Sequence, residues 1–373
     1  MLEHTEPIHV VHVSSVHPWT DNRIHYRECV SLAGLGYRVS LVAVESRITG
    51  GPSPVDVTVL PRRPRLQRML LGSIAAVRAA IRTGASVFHL HDPELVWAIP
   101  VLRAMGKRVI YDAHEDLPEQ VVSKEYVHPL ARPLMRATAH LVVRVARLSN
   151  HVVTATETIA KRFPSGRVSV VHNYPPLREE EGSAGSVASR PLSVAYIGGI
   201  SEIRGAEQMI DALGNEAFPV GWRLELAGPM GESLAERLQR SPGWERTDYL
   251  GHVTPDEARD LLLRARVGLV LFRDTQAHRD ALPTKMFEYF AAGIPVIASD
   301  FPLWRSIIDR LECGLLVDES SPSSIAAAIA KYAHDPELLE RHAANARRAA
   351  VEVLNWSQEV PVLAAAYESA RKE

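Results

Sequence analysis

Lys285 and Glu288 stand three residues apart in a stretch, Leu282 to Asp300, that reads as loop, helix, glycine stop and buried strand. That spacing puts an ammonium and a carboxylate on one face near a helix start, with Pro283 and Thr284 in the turn before them. Gly293 suits the helix C-terminus, and Pro295 to Ser299 is a short apolar run of the kind found inside a parallel sheet. The mouth of such a unit offers a cation to phosphate and a carboxylate to hydroxyls. A nucleotide-sugar carries both.

A second candidate phosphate site runs from Gly198 and Gly199 to Arg204 and Gly205, between a strand and a helix. Glycines there let backbone N–H groups approach a phosphate, the helix N-terminus favours an anion, and Arg204 adds a planar fork suited to phosphate oxygens. A plain glycine turn has the same composition. Lys285 and Glu288 singly read as solvated helix-start charges, so the case rests on the set.

In the first half, Tyr111 to Asp116 puts His114 and Glu115 at the carboxyl end of an apolar strand. A histidine there can meet a sugar hydroxyl or a developing charge. The competing reading is a cap, with Asp112 or Asp116 starting the next helix. His89 and His91 alternate about Leu90 and face one side of their strand. His91, Asp92, Pro93 and Glu94 read as site lining or as a helix entry with proline in its first turn. The polar, aromatic loop from Ser15 to Arg27 holds His17, Asp21 and Arg23 on the ligand side. Asp21 also reads as an N-cap, and Arg23 with Arg27 as a solvated face. No His-Glu-x-x-His, Cys-x-x-Cys or Asp-x-Asp spacing occurs, so no metal site is expected.

These residues need scaffolds that aim strand ends at a ligand. Strand signals at 9–13, 37–44, 87–91, 108–112, 151–155 and 168–172 alternate with helical spacing at 22–34, 68–82, 93–105 and 131–149. The charged, then small and polar run at 179–186 reads as a linker, after which the alternation starts again. Strands follow at 192–197, 222–227, 247–250, 268–272, 295–299 and 314–317. Helices follow at 204–213, 233–239, 255–264, 322–334, 336–354 and 357–372. Such alternation means parallel sheets covered by helices, here two doubly wound α/β domains in series. Ligands of such sheets sit beyond the carboxyl ends of the strands, and two sheets facing each other would form a cleft.

Bulk properties agree. A chain of 373 residues exceeds one ordinary core, and 46% hydrophobic with 23% charged residues is a globular composition. No apolar run approaches the ~20 residues of a membrane span. Met1 to Pro7 is acidic and lacks an apolar signal region, and Cys29 and Cys313 are too few and too far apart for a disulfide framework. A cytoplasmic location is expected. Residues 1–173 hold 21 Lys/Arg against 14 Asp/Glu (+7), and 174–373 hold 21 against 30 (−9), which sum to −2. The basic half carries two basic, apolar segments, near 62–82 and 131–147. They suit either an anionic membrane at the inner face of the plasma membrane or ordinary packing by an apolar helix face. No nucleic-acid partner is expected.

The chain resembles the GT-B glycosyltransferases of the large retaining family 4, the group with the "glycosyl transferases group 1" C-terminal domain. Asp21 to Ile24, with Glu28 and Ser31-Leu32 before Gly36-Tyr37, is similar to the family's first loop and helix. His89 to Glu94 and Tyr111 to Glu115 resemble its acceptor-domain landmarks. Gly198-Gly199 with Arg204-Gly205 resembles its phosphate loop, and Leu226 to Gly228 and Gly251 to Val253 its base pocket. The strongest match is Asp280-x7-Glu288 running into Ala292 to Ser299. Asn355 to Ser357 resembles the entry to the family's terminal helix. There are departures. The first acid of the pair is Asp rather than Glu, Leu282-Pro283-Thr284 replaces the usual Gly-Phe-Gly, the first-loop Gly-Gly is absent near His17-Pro18, and Gly199-Ile200 lacks the second basic residue.

The resemblance implies a fold of two Rossmann-like domains facing across a cleft. These are an acceptor domain at 1–175 joined by a terminal helix at about 356–373, a linker at 176–191 and a donor domain at 192–355. It implies transfer of a hexosyl group from a UDP- or GDP-sugar to an acceptor hydroxyl with retention and without a metal or other cofactor. In that scheme Glu288 holds the donor ribose, while Arg204 and Lys285 with Gly198 and Gly199 meet the diphosphate. Gly228, Val253, Pro283 and Thr284 line the donor site, and Asp280 and His114 orient the sugar. His17, Asp21, Arg23, His91, Asp92, Glu94 and Glu115 lie on the acceptor side. The residues alone leave open a nucleotide-sugar epimerase of this fold and a catalytically silent binding protein. A nicotinamide oxidoreductase fits less well, because no Gly-x-Gly-x-x-Gly follows the first strand.

Overall fold

The computed structural model describes residues 7–46, 51, 53–119, 132–178 and 185–372. The chain divides into two compact units, one of residues 1–173 with 356–373 and the other of residues 174–355. Most of the 179–186 run, residues 179–184, lies outside the described residues.

The first unit is built on seven parallel strands: β1 (His9–Pro18), β2 (Arg38–Val44), β3 (Asp56–Leu60), β4 (Val87–Leu90), β5 (Arg108–Ala113), β6 (His151–Thr154) and β7 (Val168–Val170). Their order is β3-β2-β1-β4-β5-β6-β7, so the winding reverses between β1 and β4. That reversal is where a doubly wound sheet opens a crevice at its carboxyl edge. Helices α1 (Val30–Gly34), α2 (Ser73–Arg82), α3 (Ala98–Ala104) and α4 (Arg132–Ala146) lie among these strands. Ala76, Val77, Ile99, Leu102 and Val143 fill one core of the unit. A second core joins Ile24 and Leu32 to Leu363 and Tyr367 of the terminal helix, residues 356–372.

The second unit has six parallel strands: β8 (Ser193–Ile197), β9 (Arg223–Ala227), β10 (Thr247–Gly251), β11 (Val267–Val270), β12 (Val296–Ser299) and β13 (Gly314–Val317). Their order is β10-β9-β8-β11-β12-β13, with the reversal between β8 and β11. One continuous core runs through it, from Val187 and Val194 to Leu354.

Some elements differ from the sequence reading. Asp56–Leu60, which the sequence reading did not single out, is a strand at the sheet edge, where only one side is packed and the apolar pattern is weak. Pro302–Leu311 is a helix whose start is set by proline at its first position, and sequence spacing did not single it out. The expected helix at 22–34 is π-wound from Asn22 to Cys29 before α1. The Asp21 carbonyl accepts from both the His25 and Tyr26 amides, at 3.1 and 3.4 Å. The expected helix at 93–105 splits into a 3₁₀ turn, Pro93–Leu95, and α3.

Candidate active site

In the second unit the carboxyl ends of β8, β9 and β10 close on one another through glycines. Gly198 has φ +129° and Gly228 φ +138°. The Gly198 amide donates to Ala227 O at 2.9 Å and the Gly228 amide to Gly251 O at 2.7 Å. A Cβ on Gly228 would come 1.9 Å from Gly198 O. Gly228→Ala is therefore expected to cost about 3 kcal/mol through both strain and clash, read as a lower urea midpoint.

Lys285 lies in α5, here Thr284–Ala291, with Pro283 as its N-cap residue. It was weighed in the sequence as a solvated charge; it is buried. Its Nζ sits 3.6 Å from the centre of the Tyr196 ring and has no hydrogen-bond partner among the described residues. Burial, then repulsion from Arg204, lowers its pKa to about 7, against the pull of Glu288. Arg204 Nη1 donates to Gly199 O at 3.2 Å, and Tyr196 Oη donates to the same carbonyl at 2.9 Å. A Cβ built on Gly198 would lie 3.4 Å from Lys285 Nζ and 3.7 Å from Arg204 Nη1. Two cations thus converge on the bare backbone of the Gly198-Gly199 turn. A buried ammonium without a hydrogen-bond acceptor costs free energy, and an anion seated at the turn would remove that cost.

The turn that precedes α5 is held from below. Trp304 Nε1 donates to Ala281 O at 2.7 Å, and Gln276 Nε2 donates to Asp280 Oδ2 at 2.7 Å. The Ile197 amide donates to Tyr289 Oη at 3.2 Å, which ties α5 to the end of β8. Asp280, Pro283, Thr284 and Glu288 are all half-buried, and Val253 packs at the edge of the core.

In the first unit, Asp92 gathers the carboxyl-terminal part of β1, residues the sequence reading puts in a loop. Its Oδ2 accepts from the Ser15 amide at 2.6 Å and Ser14 Oγ at 2.9 Å, and its Oδ1 lies 3.0 Å from His17 Nδ1. Burial alone would raise Asp92, but the His17 bond lowers it; the same bond raises His17 against its own burial. Glu94 accepts from Arg68 Nε at 2.8 Å, and Glu115 is exposed. Asp21 is an N-cap, accepting from the Arg23 and Ile24 amides at 2.9 Å each. Arg23 and Arg27 are buried, so the solvated-face alternative does not hold. The Arg23 guanidinium faces Asp112 at 3.2 Å, Glu28 at 3.0 Å and Val171 O at 2.9 Å. Asp112 is no helix cap; it ends β5, fully buried.

Asp112 also orders a chain of histidines. Burial opposes its charge, but Arg23 holds its pKa well below the usual range, while burial and the Asp112 charge push Glu28 well up. Asp112 is therefore the anion of the pair. Its Oδ2 lies 3.5 Å from His91 Nδ1 and 3.4 Å from His114 Nε2. Those two nitrogens also lie 3.3 Å from each other, so one donates to the other, and His91 Nε2 shares a hydrogen bond of 2.9 Å with His12 Nδ1. His12 Nε2 is hydrogen-bonded to Tyr367 Oη at 2.9 Å, and Tyr367 Oη to His89 Nδ1 at 2.7 Å. Burial lowers the pKa of His12 and His89 well below 6.5 and that of His114 to about 3, against Asp112.

The structure thus brings together His17, His91, Asp92 and His114 in one unit, and Gly198, Gly199, Arg204 and Lys285 in the other. Sequence reasoning missed His12, Tyr367 and the anionic role of Asp112. Their signal was present as polar residues inside otherwise apolar strands, His12 in β1 and Asp112 in β5, and β1 pairs His12 with His89. The donor atoms of His12, Glu28, His89 and His91 lie within 4.8 Å of one another, as do those of His91, Asp112 and His114. Linear metal motifs could not register such sets, because their members come from separate elements.

Residues 22–174 match the model described as Glycosyltransferase Family 4, and residues 178–349 the model described as Glycosyl transferases group 1. Together with the two doubly wound sheets, these matches place the chain in the family 4 glycosyltransferases of the GT-B fold. Among solved structures the chain is similar to sucrose-phosphate synthase from Thermosynechococcus elongatus, at 17% identity and a TM-score of 0.74, covering 99% of this chain and 100% of that one. It is similar to HepE from Anabaena in complex with UDP-glucose, at 14% identity and a TM-score of 0.72, covering 97% and 100%. It is also similar to trehalose 6-phosphate synthase from Burkholderia multivorans, at 14% identity and a TM-score of 0.65, covering 99% and 98%. A comparison with curated protein sequences gives no match.

Proposed function

We propose that this glycosyltransferase moves a hexosyl group from a nucleoside diphosphate sugar to an acceptor hydroxyl with retention of anomeric configuration. The observation that carries this reading is the buried Lys285 ammonium, without a hydrogen-bond partner among the described residues and aimed with Arg204 at the Gly198-Gly199 turn. As the glycosidic C–O bond breaks, negative charge grows on the leaving diphosphate and positive charge on the anomeric carbon. Lys285, Arg204 and the turn's amides meet the diphosphate in the place a metal takes elsewhere. Front-face attack needs no protein nucleophile, and the departing diphosphate accepts the acceptor's proton. Glu288 takes the ribose hydroxyls, Asp280 and His114 orient the sugar, and Gly228, Val253, Pro283 and Thr284 line the donor. His17, His91, Asp92, Glu94 and Glu115 serve the acceptor side, with Asp21 and Arg23 holding its loop and floor. HepE is described with UDP-glucose, which supports UDP as the first base to try. The two cysteines, both buried and unpaired, support a reducing, cytoplasmic setting.

Thermal-shift titration with UDP, GDP and their hexose conjugates tests the donor. The cognate diphosphate should raise the melting temperature equally with and without EDTA. Glu288→Ala should weaken the response by about tenfold in ligand concentration, the loss of a charge-assisted bond to the ribose diol. An unchanged titration in the Glu288→Ala protein would remove Glu288 from the donor site. Product analysis without acceptor distinguishes transfer from epimerisation of the donor.

A further inference from the structure

We propose that the outer surface of the helix layer α2–α4 docks on an anionic lipid bilayer. The chain passes from β3 to β4, β5 and β6 across the sheet in one direction. Right-handed crossovers then place α2, α3 and α4 on the same face. Their inward residues share a single core, Ala76 and Val77 of α2 with Ile99 and Leu102 of α3 and Val143 of α4. Neighbouring elements of the layer are also tied at the surface. Trp97 Nε1 donates to Ser73 Oγ at 3.3 Å, and Arg103 Nη1 donates to Leu148 O at 2.7 Å. The two basic segments of the sequence therefore belong to one continuous surface of one unit.

That surface is greasy where a solvated helix layer is polar. Leu66 is 77% exposed, Leu70 68%, Leu71 57%, Leu134 73% and Leu141 59%. Of the 22 large hydrophobic residues exposed among the described residues, 11 lie between Leu66 and Leu148. The winding explains part of this. Residues Arg68–Gly72 form a π-helical turn, and Met69, Leu70 and Leu71 are all left outward.

The charge is one-sided within three stretches of the layer. Of the described acids between the second and third, Asp112 is buried, Asp116 and Glu119 pair with Arg162, and Glu115 is exposed. Residues 57–91 hold six arginines, residues 95–111 three Lys/Arg and residues 132–156 four arginines, with no Asp or Glu in any of these spans. Of the two acids between the first spans, Asp92 is buried and bonded to the carboxyl-terminal part of β1, and Glu94 is paired with Arg68. Arg63, Arg65, Arg78, Arg136 and Arg144 are exposed. Exposed leucines beside arginines match a bilayer, where the apolar side chains enter the acyl boundary and the guanidinium groups meet phosphate headgroups. A nucleic acid would use the arginines but leave the leucines wet, since its bases stack on aromatic rings and Trp97 is the only exposed one in this layer among the described residues. No helix among the described residues is long and apolar enough to cross a membrane, so the contact is peripheral.

Sedimentation of the full chain with phosphatidylcholine vesicles, with and without phosphatidylglycerol, tests this. Binding is expected only with the anionic lipid and should weaken as salt shortens the screening length. Arg63→Glu, Arg65→Glu and Arg78→Glu together should lower vesicle affinity roughly 100-fold. Leu66→Asn, Leu70→Asn and Leu71→Asn together should abolish binding at physiological salt. Both triple variants change exposed side chains and should keep the wild-type melting temperature and nucleotide response. Failure to sediment with anionic vesicles, or binding that survives either triple variant, overturns the proposal. Preferential binding of a single-stranded oligonucleotide, insensitive to the leucine changes, overturns it in favour of a nucleic acid. The proposal does not depend on the donor assignment, because vesicle binding is read without donor or acceptor.

Discussion

His114→Ala should bind the nucleotide-sugar as wild type does and lose turnover by about 100- to 1,000-fold, the cost of one misplaced polar contact at a reacting centre. The separation follows from where the residue sits. His114 belongs to the first unit, at the end of β5, while the cationic pair and the glycine turn belong to the second. Single-turnover kinetics with saturating donor measures turnover, and isothermal titration with the nucleotide-sugar that thermal shift identifies measures binding. Parallel losses in both would show that His114 acts through folding or donor binding instead. The pH profile adds a check. With its pKa at about 3 in the folded protein, His114 stays neutral across the working range, so kcat should show no inflection near 6.5 from this group. Folding stability behaves differently. The unfolded value is near 6.5, so between pH 6.5 and 3 the unfolded chain binds the extra proton and stability falls as pH drops. His12 and His89, also lowered by burial, act in the same direction. Urea midpoints at pH 7.5, 6 and 5 should decline in that order.

Lys285→Met, which keeps most of the side-chain volume and removes the charge, should weaken binding of the nucleotide-sugar donor about 100-fold. The wild-type amine has a pKa of about 7 because it is buried beside Arg204. Above pH 7 the free site holds a neutral amine and must take up a proton to meet the diphosphate. Donor affinity should therefore fall by up to about tenfold per pH unit above 7, and calorimetry in buffers of different ionisation heat should register that proton. Lys285→Met should lose both signatures and gain stability near pH 7, where the wild type keeps the cost of a buried amine. The sign is fixed by the shift. The unfolded chain binds more protons between pH 7 and 10.5, so this residue's contribution makes the wild type more stable as pH rises through that window. An affinity unchanged by the substitution would separate Lys285 from the diphosphate.

Much of the candidate site in the second unit was legible along the chain because its parts are local. Gly198, Gly199 and Arg204 lie within one strand–turn–helix unit, and Pro283, Lys285 and Glu288 within another. The periodicity of α5, its Gly293 stop and the apolar strand β12 are short-range effects of side-chain direction and backbone freedom. Edge elements were less legible. Asp56–Leu60 is half solvated, and burial on one side leaves no continuous apolar signature.

Composition and periodicity by themselves determined two wound α/β units, most of their strands, and which polar residues could stand at the strand ends. Tertiary structure alone decided the protonation and partners of those residues. His12, Arg23, His91, Asp112 and Tyr367 come from five separate parts of the chain, and no spacing rule joins them. Burial in a shared low-dielectric interior forces them to satisfy one another, and it also strips Lys285 of water beside Arg204. Desolvation depends on everything packed around a group, and for that reason it is written in the folded chain rather than in the order of its residues.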